Sequence, residues 1–196
     1  DALLQNDVLQ ILIVGGANLP VQLFRTANNA DLHNQRVVDV DCEVIARIMR
    51  HNEQLTMVNL QSNYFGADGA QALAGMVQVN RALTSVNLLK NDLGGGAALI
   101  VAAAKQQGNI KTLCGIEEGK TELDLSDEDL ETPDAVLLSF DLEFSRALKS
   151  ANLADNDIGD EGAAAISKAL ETNNTLETLI LGEGLGGDDI GAAGAQ

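Results

Sequence analysis

The chain has 196 residues, of which 45% are hydrophobic and 21% charged, and it contains only 2 prolines. This composition is too apolar for an intrinsically disordered chain and predicts a folded protein with one or two hydrophobic cores. Its 29 acidic and 12 basic residues give a formal net charge of −17, a sign that repels phosphate backbones and anionic lipids. We therefore expect neither nucleic acid nor a membrane surface as a partner.

Cysteine usage and the start of the chain bear on its location. The two cysteines, Cys42 and Cys114, are too few for a disulfide framework, so we expect a reducing, cytoplasmic location. No apolar run approaches the roughly 20 residues that span a bilayer. The sequence begins at Asp1 without a charged leader, which predicts a processed or partial chain.

The first 29 residues precede a repeat and predict an N-terminal cap or divergent first repeat, with a possible strand in the apolar run Val8 to Val14. The repeated pattern is L-x-x-h-x-L-x-x-N, where h is apolar. It begins at Leu55, Leu83, Leu148 and, with its apolar half only, Leu176. A fixed period is typical of a repeat protein.

The last leucine of each pattern serves as a marker, and the markers fall into two blocks. Within each block, successive markers are 28 residues apart. The first block has Leu32, Leu60 and Leu88, and the second has Leu125, Leu153 and Leu181. Small residues stand ten positions after the first five markers: Cys42, Ala70, Ala98, Ala135 and Ala163. Apolar residues stand thirteen positions after them: Ile45, Leu73, Val101, Leu138 and Ile166. We expect these two columns to form one buried helix face.

The end of each predicted helix is marked by a residue twenty positions after the marker. Asn52, Asn80, Gly108, Ser145 and Asn173 are at these positions, and Asn or Gly favours a helix end in the left-handed conformation. Each unit is thus a strand followed by a helix, and it cannot bury its apolar face alone. Strands stack about 4.8 Å apart and helices about 8 to 10 Å apart. The expected fold is therefore an α/β horseshoe with a concave parallel β-sheet and convex helices.

This pattern resembles that of leucine-rich repeat proteins, specifically the ribonuclease-inhibitor-like type with a strand and a full helix in each 28-residue repeat. The leucine pattern and the segment I-G-D-E-G-A, Ile158 to Ala163, carry the resemblance from about residue 30 to residue 196. Residues 110–125 are similar to a joint in large, mostly uncharacterised leucine-rich repeat proteins of unicellular algae and other protists. The resemblance implies a leucine-rich repeat solenoid.

In this family the Asn of each pattern points inward and bonds to backbone groups. Asn63, Asn91 and Asn156 are at this position. The equivalent positions elsewhere hold Gln35, Glu128 and Gly184. We expect the series of buried asparagines to be interrupted there.

An irregular joint separates the two blocks. Ile110, Leu113 and Ile116 arrive one repeat after the preceding strand, yet Leu123 follows with no helix between. A parallel crossover needs about a dozen residues, so either the joint is a tight antiparallel excursion around residues 117–120, which we favour, or one of the two segments leaves the sheet. The expected domains are residues 1–29 (cap), 30–109 (first block), 110–122 (joint) and 123–196 (second block with a truncated last repeat).

Three motifs are similar to cofactor or metal sites but lack the rest of the signature. G-x-G-x-x-G at residues 182–187 has no acidic residue about 20 positions later. Residues 155–161 begin like a calcium loop, but Ile166 stands where the bidentate Glu is required. His33 and His51 have no Cys or acidic cluster at zinc spacing. We expect no catalytic, cofactor-binding or metal-binding residues, no small-molecule substrate and no enzymatic activity.

Partners of a repeat solenoid bind the side chains that lie between its inward leucines. On this concave face, the predicted protein-binding residues are Asn59, Gln61, Asn87, Leu89, Lys111, Glu117, Glu118, Glu122, Asp124, Asn152, Asp155 and Ile180. Residues 99–196 carry 20 acidic and 6 basic side chains, which predicts a protein partner with a basic surface. The first functional hypothesis is therefore a non-enzymatic protein-interaction scaffold.

Two alternatives stay open. The Ran GTPase-activating protein shares this repeat type, so the resemblance implies regulation of a small GTPase as one of them. The truncated last repeat favours the other, a structural segment of a larger assembly. Binding of ribonuclease itself is not expected, because the chain lacks the Cys-rich and Trp-bearing repeats of ribonuclease inhibitors.

Overall fold

A computed structural model describes residues 11–182, which form eight short strands and six helices in two compact units, unit 1 (described residues 11–115) and unit 2 (described residues 116–182). The strands are β1 (Ile11–Ile13), β2 (Asn18–Pro20), β3 (Asn29–Asp31), β4 (Met57–Asn59), β5 (Ser85–Asn87), β6 (Glu122–Asp124), β7 (Ser150–Asn152) and β8 (Thr178–Ile180). The helices are α1 (Val21–Thr26), α2 (Asp39–Met49), α3 (Ala67–Val77), α4 (Gly96–Gln107), α5 (Thr132–Phe144) and α6 (Gly159–Leu170).

Unit 1 begins with a hairpin and continues as a parallel sheet. β1 pairs antiparallel with β2, so part of the predicted run Val8 to Val14 does form a strand; its residues 8–10 lie outside the described residues. β3, β4 and β5 pair in parallel, with Ala30, Val58 and Val86 opposite one another. The helices α2, α3 and α4 pack side by side. The 28-residue period therefore sets the register.

Unit 2 repeats this arrangement. β6, β7 and β8 pair in parallel, with Leu123, Ala151 and Leu179 in register, and α5 packs against α6. The described strands β3 to β8 thus form two three-stranded parallel sheets, one from each of the two repeat blocks that the irregular joint separates.

The marker leucines form the centre of the two cores. Leu32, Leu60, Leu88 and Leu153 are fully buried, as the strand pattern predicts, whereas the markers Leu125 and Leu181 are half-buried. Each strand has alternating side chains, so burial of the marker leaves the residue before it on the opposite side of the sheet.

The predicted helix face is confirmed in four of the five helices and is wrong by one residue in α4. Ala98 is exposed and Val101 half-buried, whereas Ala97 and Ile100 are buried. The turn before α4 differs from the equivalent turn before α3, since it has eight residues rather than seven between strand and helix and includes Gly94 at φ +47°. The core-facing residues of α4 lie one position earlier relative to their marker than those of the other helices.

Asparagines after the strands form the predicted buried series. Asn63 Nδ2 donates to the carbonyls of Leu32 and Leu60 at 2.9 and 2.8 Å, and Asn63 Oδ1 accepts the N–H groups of Gln35 and Val37 at 2.9 and 3.0 Å. Asn91 and Asn156 make equivalent bonds. Gln35 and Glu128 are exposed, so the series is interrupted there as predicted; Gly184 lies outside the described residues.

A second series of amide side chains follows the helices, and its role differs from the predicted one. Of the four predicted left-handed helix ends, only Gly108 has a positive φ, +79°. Asn80 instead donates to the carbonyls of Met49 and Asn52 at 2.6 and 3.0 Å, and Gln107 donates to the carbonyl of Asn80 at 2.6 Å. The amide groups fasten each loop to the preceding repeat, so hydrogen bonding rather than backbone conformation accounts for these residues.

The joint is not the antiparallel hairpin that the sequence favours. Thr112 forms a parallel bridge to Ser85, and the N–H groups of Val86 and Leu88 donate to the carbonyls of Thr112 and Leu113 at 3.1 Å each. The next strand, β6, pairs with β7. Each of the two segments therefore pairs in parallel within its own sheet.

Neighbouring helices approach closely through small residues. A Cβ atom on Gly96 would lie 2.5 Å from Cβ of Ala70, and one on Gly162 would lie 2.7 Å from Cβ of Ala135. Cys42, in the same column as Ala70, is fully buried as predicted. Burial and then the charges of Asp39 and Asp41 raise the pKa of its thiol.

The first helix after the opening strand of each sheet begins differently from the others. In α2 and α5 the position nine residues after the marker holds a buried aspartate, Asp41 or Asp134. Their carboxylates accept the N–H groups of Val38 and Glu131, at 3.1 and 3.0 Å, which satisfies donors that a helix start leaves free.

No helix within residues 11–182 is long and apolar enough to cross a membrane.

Candidate protein-binding surface

The candidate surface is the strand face, meaning the side of each three-stranded sheet that the marker leucines do not occupy. In unit 1 it carries Asn59, Gln61 and Asn87, which are half-buried, and Lys111, which is exposed. Asn59 and Asn87 are opposite one another in register, and Asn87 Nδ2 donates to Gln61 Oε1 at 2.9 Å. The structure therefore brings these three predicted residues together.

Of the residues that the sequence predicts on this face, Leu89 is buried, with only 3% of its surface exposed. Cys114 and Ala154 are buried as well. A small or apolar side chain at the end of a strand gains free energy when neighbouring residues cover it. Leu89 therefore belongs to the core, and Cys114 is not an exposed thiol.

In unit 2 the strand face is more open. Glu122, Asp124 and Ile180 are exposed and Asn152 is half-buried. Asp124, Asn152 and Ile180 lie in register, and Asn152 Nδ2 donates to Asp124 Oδ1 at 3.1 Å. The remaining predicted residues are exposed in loops, Asp155 after β7 and Glu117 and Glu118 in the joint.

Asparagine and aspartate side chains on the strand face also hold the loops that follow the strands. The side-chain oxygen of Asn59 accepts the N–H of Gln61 at 3.1 Å, and that of Asn152 accepts the N–H of Ala154 at 3.2 Å. Asp31 does the same with His33 and lies opposite Asn59. The sequence prediction omitted Asp31, although it precedes marker Leu32 as Asn59 precedes Leu60.

Charge differs sharply between the two units. Residues 11–115 carry 7 acidic and 8 basic side chains, whereas residues 116–182 carry 17 acidic and 4 basic ones. On the strand face of unit 2, Lys149 pairs with Glu177 at 2.7 Å. Because both side chains are at least half exposed, this pair adds little to stability. The strand face of unit 2 keeps a negative charge from Glu122 and Asp124.

The environment of Asp124 on this face favours its ionised form. Its pKa is lowered chiefly by the Ser126 hydroxyl, which donates to Oδ1 at 2.7 Å, then by the Ser126 N–H at 3.1 Å, and to a lesser extent by the Asn152 amide. Donors to a carboxylate stabilise its charged form. Asp124 therefore stays charged to a lower pH than an isolated aspartate.

We expect Ser126→Ala to raise the pKa of Asp124 toward its ordinary value, measured by NMR titration of the carboxyl carbon. Because the folded-state pKa is lowered, the hydrogen bonds stabilise the fold above the unfolded-state pKa, and this contribution is lost as pH falls through the folded-state pKa. Ser126→Thr keeps a hydroxyl and serves as the control, with the lowered pKa retained. An unchanged titration in Ser126→Ala would show that the hydroxyl is not the cause.

Metal and cofactor motifs gain no support from the described chain. Within residues 11–182 no three His, Cys, Asp or Glu side chains are grouped so that they could hold a metal ion. Of the glycine motif at residues 182–187, only Gly182 is described. His33 and His51 are exposed, as expected of surface histidines.

Comparisons with known proteins address the fold. The family model described as Leucine Rich repeat matches residues 51–74 and 145–167, which contain β4 with the start of α3 and β7 with the start of α6. Among solved structures, the chain is similar to Leiomodin-1 Actin-Binding Site 2 (ABS2), at 17% sequence identity and a TM-score of 0.43, covering 81% of this chain and 72% of that chain. No curated protein matches the chain. Short parallel strands alternating with helices, together with one family match in each unit, identify the fold as an α/β leucine-rich repeat solenoid.

Proposed function

We propose that this chain is a non-enzymatic protein-interaction scaffold that binds a partner with a basic surface through the strand face of unit 2. The observation that carries the proposal is the concentration of 17 acidic and only 4 basic side chains in residues 116–182. Solenoids present extended surfaces to protein partners, and charge complementarity steers such encounters. The ribonuclease-inhibitor-like subtype, regulation of a small GTPase and a role within a larger assembly stay predictions.

Several features of the strand face support this use. Glu122 and Asp124 lie on β6 with exposed side chains, and Ile180 on β8 is 42% exposed in register with Asp124. Exposed carboxylates on the same sheet face as an apolar side chain, here separated from it by Asn152 on β7, can form a charged rim around a small hydrophobic contact. Hydrogen bonds to Asp124 from Ser126 and Asn152 hold its carboxylate in place before a partner arrives, which lowers the entropy cost of binding.

The proposal is tested with a small basic globular protein as the probe and the chain immobilised on a sensor surface. We expect binding at about 0.05 M salt and a loss of about tenfold or more in affinity at about 0.5 M, because surface charges are screened. Glu122→Gln with Asp124→Asn should weaken binding about fivefold to tenfold at the lower salt concentration. A chain that does not bind the probe at either salt concentration contradicts the proposal.

A matched control separates the strand face from net charge. Glu161→Gln with Glu171→Gln removes the same two charges from exposed positions in and after α6. This variant should bind the probe nearly as tightly as the wild type. Equal losses in both variants would show that the probe senses overall charge and that the strand face has no special role.

A further inference from the structure

One edge of unit 1 is made of the loops that follow its helices and lead into the next strand, residues 50–56, 78–84 and 108–111. Amide side chains hold these loops against one another. Besides the bonds from Asn80 and Gln107, Asn109 Nδ2 donates to the carbonyl of Arg81 at 2.7 Å, and Arg81 Nη1 donates to the carbonyl of Gln107 at 3.2 Å. The loops therefore form a continuous, hydrogen-bonded edge.

This edge, which we call the basic edge, carries most of the cations of unit 1. Together with the last turns of α2 and α4, the loops expose Arg47, Arg50, Arg81, Lys105 and Lys111. Glu53 is the one acidic residue among these described loops. Cations near helix C-termini offset the helix dipole, but Arg81 and Lys111 lie beyond the helices, so the dipole does not account for the whole cluster.

Unit 2 has an edge of the opposite charge. The loops that follow β6 and β7 and start α5 and α6, residues 126–134 and 155–161, are joined by a parallel bridge between Glu131 and Asp157. We call this the acidic edge. Its exposed side chains include Asp127, Glu128, Asp129, Glu131, Asp155, Asp157, Asp160 and Glu161. No Lys, Arg or His occurs in these two loops.

We propose that the basic edge of one copy of this chain binds the acidic edge of a second copy. The two surfaces have complementary charge, and hydrogen bonds order both before contact. A nucleic acid is a poorer occupant of the basic edge, because the attached unit 2 carries a formal charge of −13 over residues 116–182 and repels phosphates.

The geometry of this contact sets the kind of assembly. Each copy has one basic and one acidic edge, so the contact is heterologous and can be repeated from copy to copy, giving a ring or an open chain. Assemblies of more than two copies are therefore expected as the concentration rises. The net charge of −17 opposes association, but at about 0.05 M salt this longer-range repulsion is partly screened while charges in direct contact are screened less.

Sedimentation velocity tests the proposal. We expect the average mass of the wild type to increase with concentration at about 0.05 M salt and to return to that of one copy at about 0.5 M. Arg47→Glu with Arg50→Glu reverses the charge of the basic edge, and Asp127→Lys with Asp129→Lys reverses that of the acidic edge. Lysine fits the left-handed conformation of Asp127 and Asp129, since Lys90 has φ 60°.

Each variant alone should remain a single copy, whereas an equal mixture of the two should associate. The mixture brings together the intact basic edge of one variant and the intact acidic edge of the other, and its two reversed edges also carry complementary charges. A wild type that stays a single copy at every concentration overturns the proposal, and so does a mixture that does not associate.

A charge control completes the test. Lys120→Glu with Lys168→Glu changes the net charge as much as Arg47→Glu with Arg50→Glu does, but both residues lie outside the two edges. This control should associate as the wild type does. If it stays a single copy, overall repulsion governs the association and the edges are not the binding surfaces. None of these outcomes depends on whether the strand face of unit 2 binds a basic partner.

Discussion

Replacing Asn63 by alanine is expected to lower the free energy of unfolding by about 3 to 5 kcal/mol, because the change leaves several buried backbone groups without partners. Asn63 is buried. Its amide nitrogen donates to carbonyls of two successive repeats, and its oxygen accepts two N–H groups of the preceding turn. Each unsatisfied buried group costs about 1 to 3 kcal/mol. Urea denaturation followed by circular dichroism measures the loss.

Asn59→Ala is the matched control, because Asn59 has the same side chain in the same repeat. It is half-buried and accepts a bond from the N–H of Gln61 at 3.1 Å. A solvent-accessible backbone group can bond to water once the side chain is gone, so the expected loss is about 0.5 to 1 kcal/mol. If the two variants lose the same stability, the buried position of Asn63 is not what matters.

The second large effect concerns the contact between α3 and α4. Gly96→Ala is expected to lower the free energy of unfolding by about 1 to 3 kcal/mol, as overpacking does elsewhere. The added Cβ would lie 2.5 Å from Cβ of Ala70 and 3.3 Å from the backbone Cα of Ala67. Neither atom belongs to a flexible side chain, so the helices must separate. Thermal and urea denaturation both report the change.

Gly75→Ala provides a control of opposite sign within α3. A Cβ at Gly75 meets no atom within 4 Å, and alanine favours a helix interior over glycine by about 0.5 to 1 kcal/mol. This variant should therefore be more stable than the wild type by about that amount. Destabilisation by Gly75→Ala would contradict the description of α3 as a helix with open space at this position.

The repeat period predicts much of the fold because it acts on both strands and helices. Once Leu60 and Leu88 are aligned, the parallel register of β4 and β5 follows, and so do the inward asparagines. The one-residue shift of the buried face of α4 could not be predicted. The three glycines at residues 94–96 allow turns of different length, and they have no side chains whose pattern would indicate which turn forms.

The binding surface is less predictable than the fold. Alternation along a strand places Asn59 and Glu122 on the strand face, and the structure agrees. Burial of Leu89 and Cys114 depends on neighbours that only the folded chain brings together. The pairing of Thr112 with Ser85 and of β6 with β7 could not be predicted either. The joint contains no helix, so its sequence has no repeat period that would indicate which strand each segment pairs with.

The buried aspartates at the starts of α2 and α5 restrict how such a protein can change by duplication. Inner repeats place Gly69 and Gly162 where the opening repeats have Asp41 and Asp134. A side chain at Gly162 would collide with Ala135, so an opening repeat copied into the interior cannot stack on the helix before it. Evolution can therefore lengthen either array by inserting copies of an inner repeat, and the opening repeat has to remain first.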